Sequence, residues 1–359
     1  MVNKKIKILI FSPSLQCGGS EKHVANLCNN IDANKFEVVL ILINNTSPFY
    51  QIKNPNIEVI DLKASRLLHG IIKLLKLIRL KNPHIVYSTS NHLNLLLAII
   101  KFWLPKDVKL IARESSVVSI NHLYSPYPKL YNFLLKAFYK KIPLIVCQSK
   151  SMQQDLIANY GLEPQQTTLI YNGIEDVDYR NEFNKSVKPH FLSVARLSPE
   201  KGIDRVLNAL SLLQFDFNYT IIGGGTEKNK LQQLAIMYKI ENKVFFAGQQ
   251  YKPFVNIENV DLFLMASQYE GFPNTLLEAT SYGIPVVAFN SPGGISEIVE
   301  DGVNGFLVNS DNTEDFAKTI NKALEYNFDR QKIKQLTQTK FSLQKSIQQL
   351  QTLFISSTK

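Results

Sequence analysis

Short apolar runs alternate with stretches in which apolar residues recur every three or four positions, and the alternation continues through most of the chain. In the first half the runs are Ile6 to Phe11, Phe36 to Ile43, His84 to Tyr87, Val108 to Ala112, Leu144 to Cys147 and Thr168 to Tyr171. In the second half they are His190 to Val194, Tyr219 to Ile222, Lys243 to Ala247, Val260 to Met265, Pro285 to Phe289 and Gly305 to Val308. Such runs predict buried strands, and the longer periodic stretches predict the helices that cover them. Strand and helix in strict alternation make a mostly parallel sheet with helices on both faces. The chain therefore reads as α/β, two doubly wound domains, and 359 residues is the right length for two. Glu175 to Pro189 is polar and without period and reads as the linker, so the domains span 1–180 and 181–340. Asp311 to Ser356 predicts two or three helices, the last within 341–359.

Candidate chemistry gathers where strands end. After the first strand, Ser12-Pro-Ser-Leu-Gln-Cys-Gly-Gly-Ser brings Gly18 and Gly19 before a helix predicted over Val24 to Asn30, with Ser20 as its cap. The pair is either a tight turn or a close approach of backbone to ligand; its spacing does not match the G-x-G-x-x-G dinucleotide fingerprint. After Val194 the chain runs Ala-Arg196-Leu-Ser-Pro-Glu-Lys201-Gly, two cations that can clamp a diphosphate, Arg by a fork of hydrogen bonds and Lys as a point charge. Gly223-Gly-Gly225 is a further strand-to-helix glycine turn. After Met265, Glu270 stands on a loop, Pro273 supplies a first helical position, and Glu278 lies one helical stretch later. Carboxylates accept hydrogen bonds from hydroxyls, and the amides of Asn274 and Thr275 at a helix start attract anions. A ligand with both hydroxyls and phosphates, such as a nucleotide sugar, suits that combination.

Glu270-Gly-Phe-Pro-Asn-Thr-Leu-Leu-Glu278-Ala followed by Gly283-Ile-Pro-Val-Val-Ala resembles the E-x7-E signature of the retaining, family 4 glycosyltransferases of the GT-B fold, and Arg196 to Lys201 is similar to that family's diphosphate loop. The resemblance runs in order from Gly18 to Glu297. It implies two Rossmann-like domains facing a central cleft, with the final helix, Phe341 to Phe354, crossing back onto the first. It implies transfer of a hexose or N-acetylhexosamine from a nucleotide diphosphate sugar to an acceptor hydroxyl, with retention and with neither metal nor cofactor. Arg196 and Lys201 would then stabilise the departing diphosphate, Gly18 and Gly19 would assist, Glu270 would hold sugar hydroxyls and Glu278 the ribose. Gly271, Phe272, Pro273, Asn274 and Thr275 would line the donor, with Gly223 near the nucleoside and Asn172 in the Asn-Gly-Ile hinge signature; Pro273-Asn274 leans toward UDP sugars. His92, offset from the family's histidine, and Glu114 stand on the acceptor side. The plainer readings are a surface or helix-capping histidine and a partly exposed Arg113–Glu114 ion pair. Asp176-Val-Asp178 lies in the linker and is not read as a metal motif.

Charge adds a partner. The net charge of +10 belongs wholly to residues 1–180, which hold 22 Lys and Arg against 12 Asp and Glu. Lys63, Arg66, Lys73, Lys76, Arg79 and Lys81 come with no acid among Leu and Ile, the composition of a helix on an anionic membrane surface, and Lys129 to Lys141 adds to the same face. The alternative is a sheet-covering helix with a solvated basic edge. No run is long enough to span a bilayer, and Cys17, Cys28 and Cys147 have neither disulfide nor metal spacing. These features predict a cytoplasmic protein at the inner face of the membrane, with a lipid-linked saccharide as acceptor in bacterial cell-surface polysaccharide synthesis, lipopolysaccharide or capsule. Nucleic acid is not expected. Two rivals stand: a non-catalytic basic binding module, which leaves the four charged donor residues without a role, and a nucleotide-sugar hydrolase or epimerase on the same fold.

Overall fold

The computed structural model describes residues 4–64, 67–176, 187–255 and 257–358. Arg66, Asp178 and most of the linker lie outside them. The chain forms two compact units, one running through Gly173 and taking in the chain from Leu343 onward, the other Ile174–Ser342.

In the first unit β1 (Ile6–Ser12), β2 (Phe36–Leu42), β3 (Ile57–Asp61), β4 (Ile85–Ser88), β5 (Lys109–Arg113), β6 (Leu144–Cys147) and β7 (Thr167–Leu169) form one sheet, order β3-β2-β1-β4-β5-β6-β7. Every pairing is parallel. The helices are α1 (Gly19–Asn30), α2 (Leu67–Lys81), α3 (Asn91–Ile100), α4 (Val118–Asn121), α5 (Pro128–Phe138) and α6 (Lys150–Tyr160). Leu74 and Ile78 of α2, Leu93 and Leu97 of α3, Leu135 of α5 and Leu156 of α6 share one core, so these four helices cover one face. Val24 and Leu27 of α1 lie in the core of the other.

The second unit repeats the plan with β8 (His190–Val194), β9 (Asn218–Ile222), β10 (Val244–Gly248), β11 (Leu262–Met265), β12 (Val286–Phe289) and β13 (Gly305–Val308), in the order β10-β9-β8-β11-β12-β13, again all parallel. Its helices are α7 (Ile203–Ser211), α8 (Lys228–Met237), α9 (Asn274–Ser281), α10 (Ile295–Ile298), α11 (Thr313–Glu325) and α12 (Arg330–Lys340). The last helix, α13 (Leu343–Ser357), then returns to the first unit, as expected: Ile347, Leu350 and Phe354 enter the α1-side core, and the Phe354 ring meets Tyr87 edge-on at 5.4 Å. Phe341, assigned from sequence to that returning helix, packs instead against Phe272 of the second unit at 5.5 Å.

Parallel order makes both units switch direction once, between β1 and β4 and between β8 and β11. At such a point the loops leave the strand ends toward opposite faces and open a crevice between them, the usual ligand site of open α/β sheets. The Gly18-Gly19 loop follows β1 and Ser90–His92 follows β4; Arg196–Lys201 follows β8 and the Glu270 loop follows β11.

Candidate active site

In the second unit the loops after β8 and β11 are locked together. Lys201 closes a 3-10 turn, Pro199–Lys201, and Gly202 then takes a left-handed φ of 62°. A Cβ on Gly202 would lie 2.1 Å from the Ala266 carbonyl oxygen, so only glycine lets the α7 start pass this close to the end of β11. The Gln268 amide donates to the Glu200 carbonyl at 2.8 Å. Between these loops Lys201 Nζ donates to Glu270 Oε1 at 2.7 Å, and the Ser267 hydroxyl donates to the same oxygen at 2.8 Å. Both charged side chains are mostly buried, 20% and 11% exposed, so the pair keeps more of its attraction than a surface pair would. Arg196, 71% exposed, reaches Glu200, Nη2 to Oε1 at 3.3 Å. Burial alone would raise the Glu200 carboxyl, but the Ser198 hydroxyl and the charges of Arg196 and Lys201 bring it below its ordinary range.

The neighbouring glycine turns brace this arrangement. Gly223, with φ 152°, abuts the Ala195 carbonyl, which explains its identity without reference to a ligand. Gly293, with φ 122°, abuts the Glu270 carbonyl, and the Glu270 amide donates to Pro292 O at 2.9 Å. Gly271 accepts from the Gly294 amide at 3.0 Å, and Phe272 is buried. Pro273 is the N-cap of α9, one residue before its predicted place, so Asn274 and Thr275 form the first turn, where amides lack a carbonyl within their own helix. Glu278 is half-buried one turn further on.

In the first unit the predicted residues divide. Gly18 is the extended N-cap of α1, which begins at Gly19 rather than Val24; Ser20 is therefore inside the first turn and not the cap. That turn is polar, so apolar periodicity starts only at Val24. His92 is exposed on α3, whose N-cap is Ser90. Glu114 and Arg113 are fully buried and do not form the partly exposed ion pair read from sequence. Arg113 Nη2 donates to Asn172 Oδ1 at 2.6 Å, which places Asn172 in the first unit as the holder of a buried cation. Glu114 Oε1 accepts from Asn94 Nδ2 and the Tyr139 hydroxyl, each at 2.7 Å. Beside them His23 Nε2 and the Tyr87 hydroxyl are 2.9 Å apart.

Burial pushes the Glu114 carboxyl up to about 7, against the pull of Tyr139 and Asn94. It lowers the Arg113 guanidinium to about 10, still charged at neutral pH, and with the Arg113 charge it holds His23 well below its ordinary range. Buried polar groups normally have partners. Here Ser90 Oγ, Asn91 Nδ2, Arg113 Nη1 and Glu114 Oε2 lack one, all next to the β4 and β5 strand ends. His23, Asn94 and Tyr139 were missed from sequence because their partners are between 20 and 64 residues away.

Two family models match the chain, one over each half. A model described as Glycosyltransferase Family 4 matches residues 17–177, and one described as Glycosyl transferases group 1 matches residues 175–340. The chain belongs to the GT-B glycosyltransferases. One relative of this glycosyltransferase is the N-acetylgalactosamine-N,N'-diacetylbacillosaminyl-diphospho-undecaprenol 4-alpha-N-acetylgalactosaminyltransferase of Campylobacter jejuni, 29% identical over 332 residues, 89% of this chain and 90% of the relative. Its fold is similar to the apo lipopolysaccharide outer core galactosyltransferase WaaB, with TM-score 0.77, 20% identity and coverage of 98% and 99%. It is also similar to Anabaena HepE in complex with UDP-glucose, with TM-score 0.79, 22% identity and coverage of 98% and 100%. Among the described residues no three His, Cys, Asp or Glu side chains come together as a metal cage, and Asp176 accepts from Gln338 at 2.5 Å.

Proposed function

We propose that the enzyme transfers a hexose or N-acetylhexosamine from a nucleotide diphosphate sugar, a UDP sugar first among them, to a hydroxyl of a lipid-linked saccharide at the inner membrane face. The observation that carries this reading is the Lys201–Glu270 pair at the β8/β11 switch point. Where the bond from C1 to phosphate breaks, negative charge grows on the leaving diphosphate, and fixed cations aimed there lower the barrier. Arg196 and Lys201 supply the charge that a metal supplies elsewhere, so turnover needs no divalent ion. Glu270, anchored by Ser267, accepts from hydroxyls of the sugar, and Glu278 from those of the ribose.

The acceptor binds on the first-unit side, at the β4 and β5 strand ends beside the buried Glu114 cluster. Among the described residues none pairs with Glu270 as a double-displacement nucleophile would, which supports a same-face, retaining transfer with the diphosphate helping to deprotonate the acceptor. The undecaprenol-linked acceptor in the name of the Campylobacter relative supports a lipid-linked class.

The test is product analysis of UDP-sugar incubations with an undecaprenyl-diphosphate-linked saccharide, with a chelator present. An α-linked product from an α-linked donor, formed only with acceptor, is expected. Inversion would overturn the mechanism, and sugar release that ignores acceptor would favour the hydrolase reading.

A further inference from the structure

The helical layer over one face of the first unit carries the same unusual stripe twice. On α2 the exposed positions are Ile72, Lys73, Lys76, Arg79 and Leu80; on α5 they are Lys129, Leu130, Phe133, Lys136 and Ala137. The offsets are identical in the two helices and mark one side of a helix. Each stripe mixes apolar and basic residues and contains no acid. An ordinary solvated face is different, as α11 of the second unit shows: its exposed residues are Glu314, Lys318, Asn321, Lys322 and Glu325, of both signs and without a large apolar group.

Aromatic residues extend the α5 stripe at both ends. At its C-terminal end Lys141 Nζ sits 4.8 Å over the ring of Phe102, which together with Trp103 is exposed. At its N-terminal end stand Tyr124 and Tyr127, and Tyr127 is 74% exposed. Eleven helical residues separate the two groups by about 16 Å. Among the described residues, the large exposed apolar residues of this unit are, Val59 excepted, all on this layer. A patch of that kind marks a surface that meets something other than water.

We infer that this layer docks on an anionic lipid bilayer, with the rings at headgroup depth and the basic side chains on lipid phosphates. Charge decides for lipid over a protein partner: from Lys101 to Lys141 only Asp107 and the buried Glu114 are acidic, against eight Lys and Arg. Amphipathic aromatic rings and Lys or Arg stems are what membrane interfaces select. Among the described residues no helix is long and apolar enough to cross a membrane, so contact is from the side. The inference rests on the proposed lipid-linked acceptor only for its purpose; binding itself is independent of it.

Trp103 is the chain's single tryptophan, so intrinsic emission reports this patch alone. With vesicles of phosphatidylglycerol and phosphatidylcholine the emission should shift to the blue and be quenched by brominated acyl chains, and with pure phosphatidylcholine it should change little. Each basic residue lost from the surface weakens partition about fivefold, so the Lys76→Gln, Lys129→Gln, Lys136→Gln variant should bind on the order of a hundredfold more weakly. Leu130→Ser with Phe133→Ser should abolish quenching. Both variants should keep the wild-type thermal shift with UDP, which separates this inference from the donor site. Unchanged Trp103 emission with anionic vesicles overturns the inference. So does concentration-dependent self-association that Phe133→Ser abolishes, which would make the patch a contact between two copies.

Discussion

Lys201 and Glu270 lie 69 residues apart in sequence and 2.7 Å apart in the second unit, joined across the β8/β11 switch point. The pair fixes the carboxylate and the cation against each other, and in the proposed mechanism the cation faces the leaving diphosphate. Lys201→Ala removes both effects. It should cut kcat by roughly 10²- to 10³-fold while leaving the melting temperature within a few degrees of wild type. Steady-state kinetics beside a thermal melt checks this; a wild-type kcat would remove Lys201 from the chemistry.

Gly293 fixes the backbone under Glu270. An alanine there would bring its Cβ within 1.6 Å of the Glu270 carbonyl oxygen at a φ of 122°. Gly293→Ala should therefore cost about 2 kcal/mol or more and lower turnover together with stability. Gly224→Ala is the control, since its Cβ would meet nothing closer than 3.9 Å. Chemical denaturation of both variants should place only the first below wild type.

Asn172 answers a buried charge. Asn172→Ala strips the acceptor from Arg113 Nη2, which is fully buried, and should destabilise by roughly 1–3 kcal/mol. Asn172→Asp supplies an anion instead and should recover most of that loss at neutral pH. Equal losses in the two variants would show that shape, not charge, is what the position provides.

Glu114 makes stability depend on pH. Its carboxyl is held at about 7 in the folded chain against an ordinary 4.5, so between these values the folded state binds a proton that the unfolded state has released. Stability from this group is complete below that window and falls as pH rises through it, by about 3 kcal/mol in all. Glu114→Gln should flatten the wild-type decline between about pH 4.5 and pH 7, as measured by denaturant melts across that range. A parallel decline in both proteins would assign the effect to other groups.

How much of this was legible in the sequence depends on how far apart the partners are. Arg196 to Lys201 and Glu270 to Glu278 are contiguous segments, so the two loops that meet at the β8/β11 switch point could be picked out directly. All six strands of the second unit were read because each is a short apolar run; the edge strand β10, Val244–Gly248, is only partly buried, but no charge interrupts it. In the first unit β3, Ile57–Asp61, was missed: it is an edge strand, partly exposed, and Glu58 and Asp61 break its apolar run. The Arg113–Glu114 environment was misread for a different reason. Adjacent opposite charges suggest an ion pair, but on a strand end they point apart, and Asn172, Asn94 and Tyr139 reach them from elsewhere in the chain.

The most direct test of donor binding is thermal unfolding of wild type and Lys201→Ala with UDP and its sugar conjugates, chelator present. At a hundred times its dissociation constant a ligand stabilises by about 2.7 kcal/mol. Wild type should show that shift with UDP and at least one UDP sugar, and Lys201→Ala should lose most of it at the same concentration. No shift with any nucleoside diphosphate, or the same shift in both proteins, would contradict a donor site built on Lys201 and Glu270.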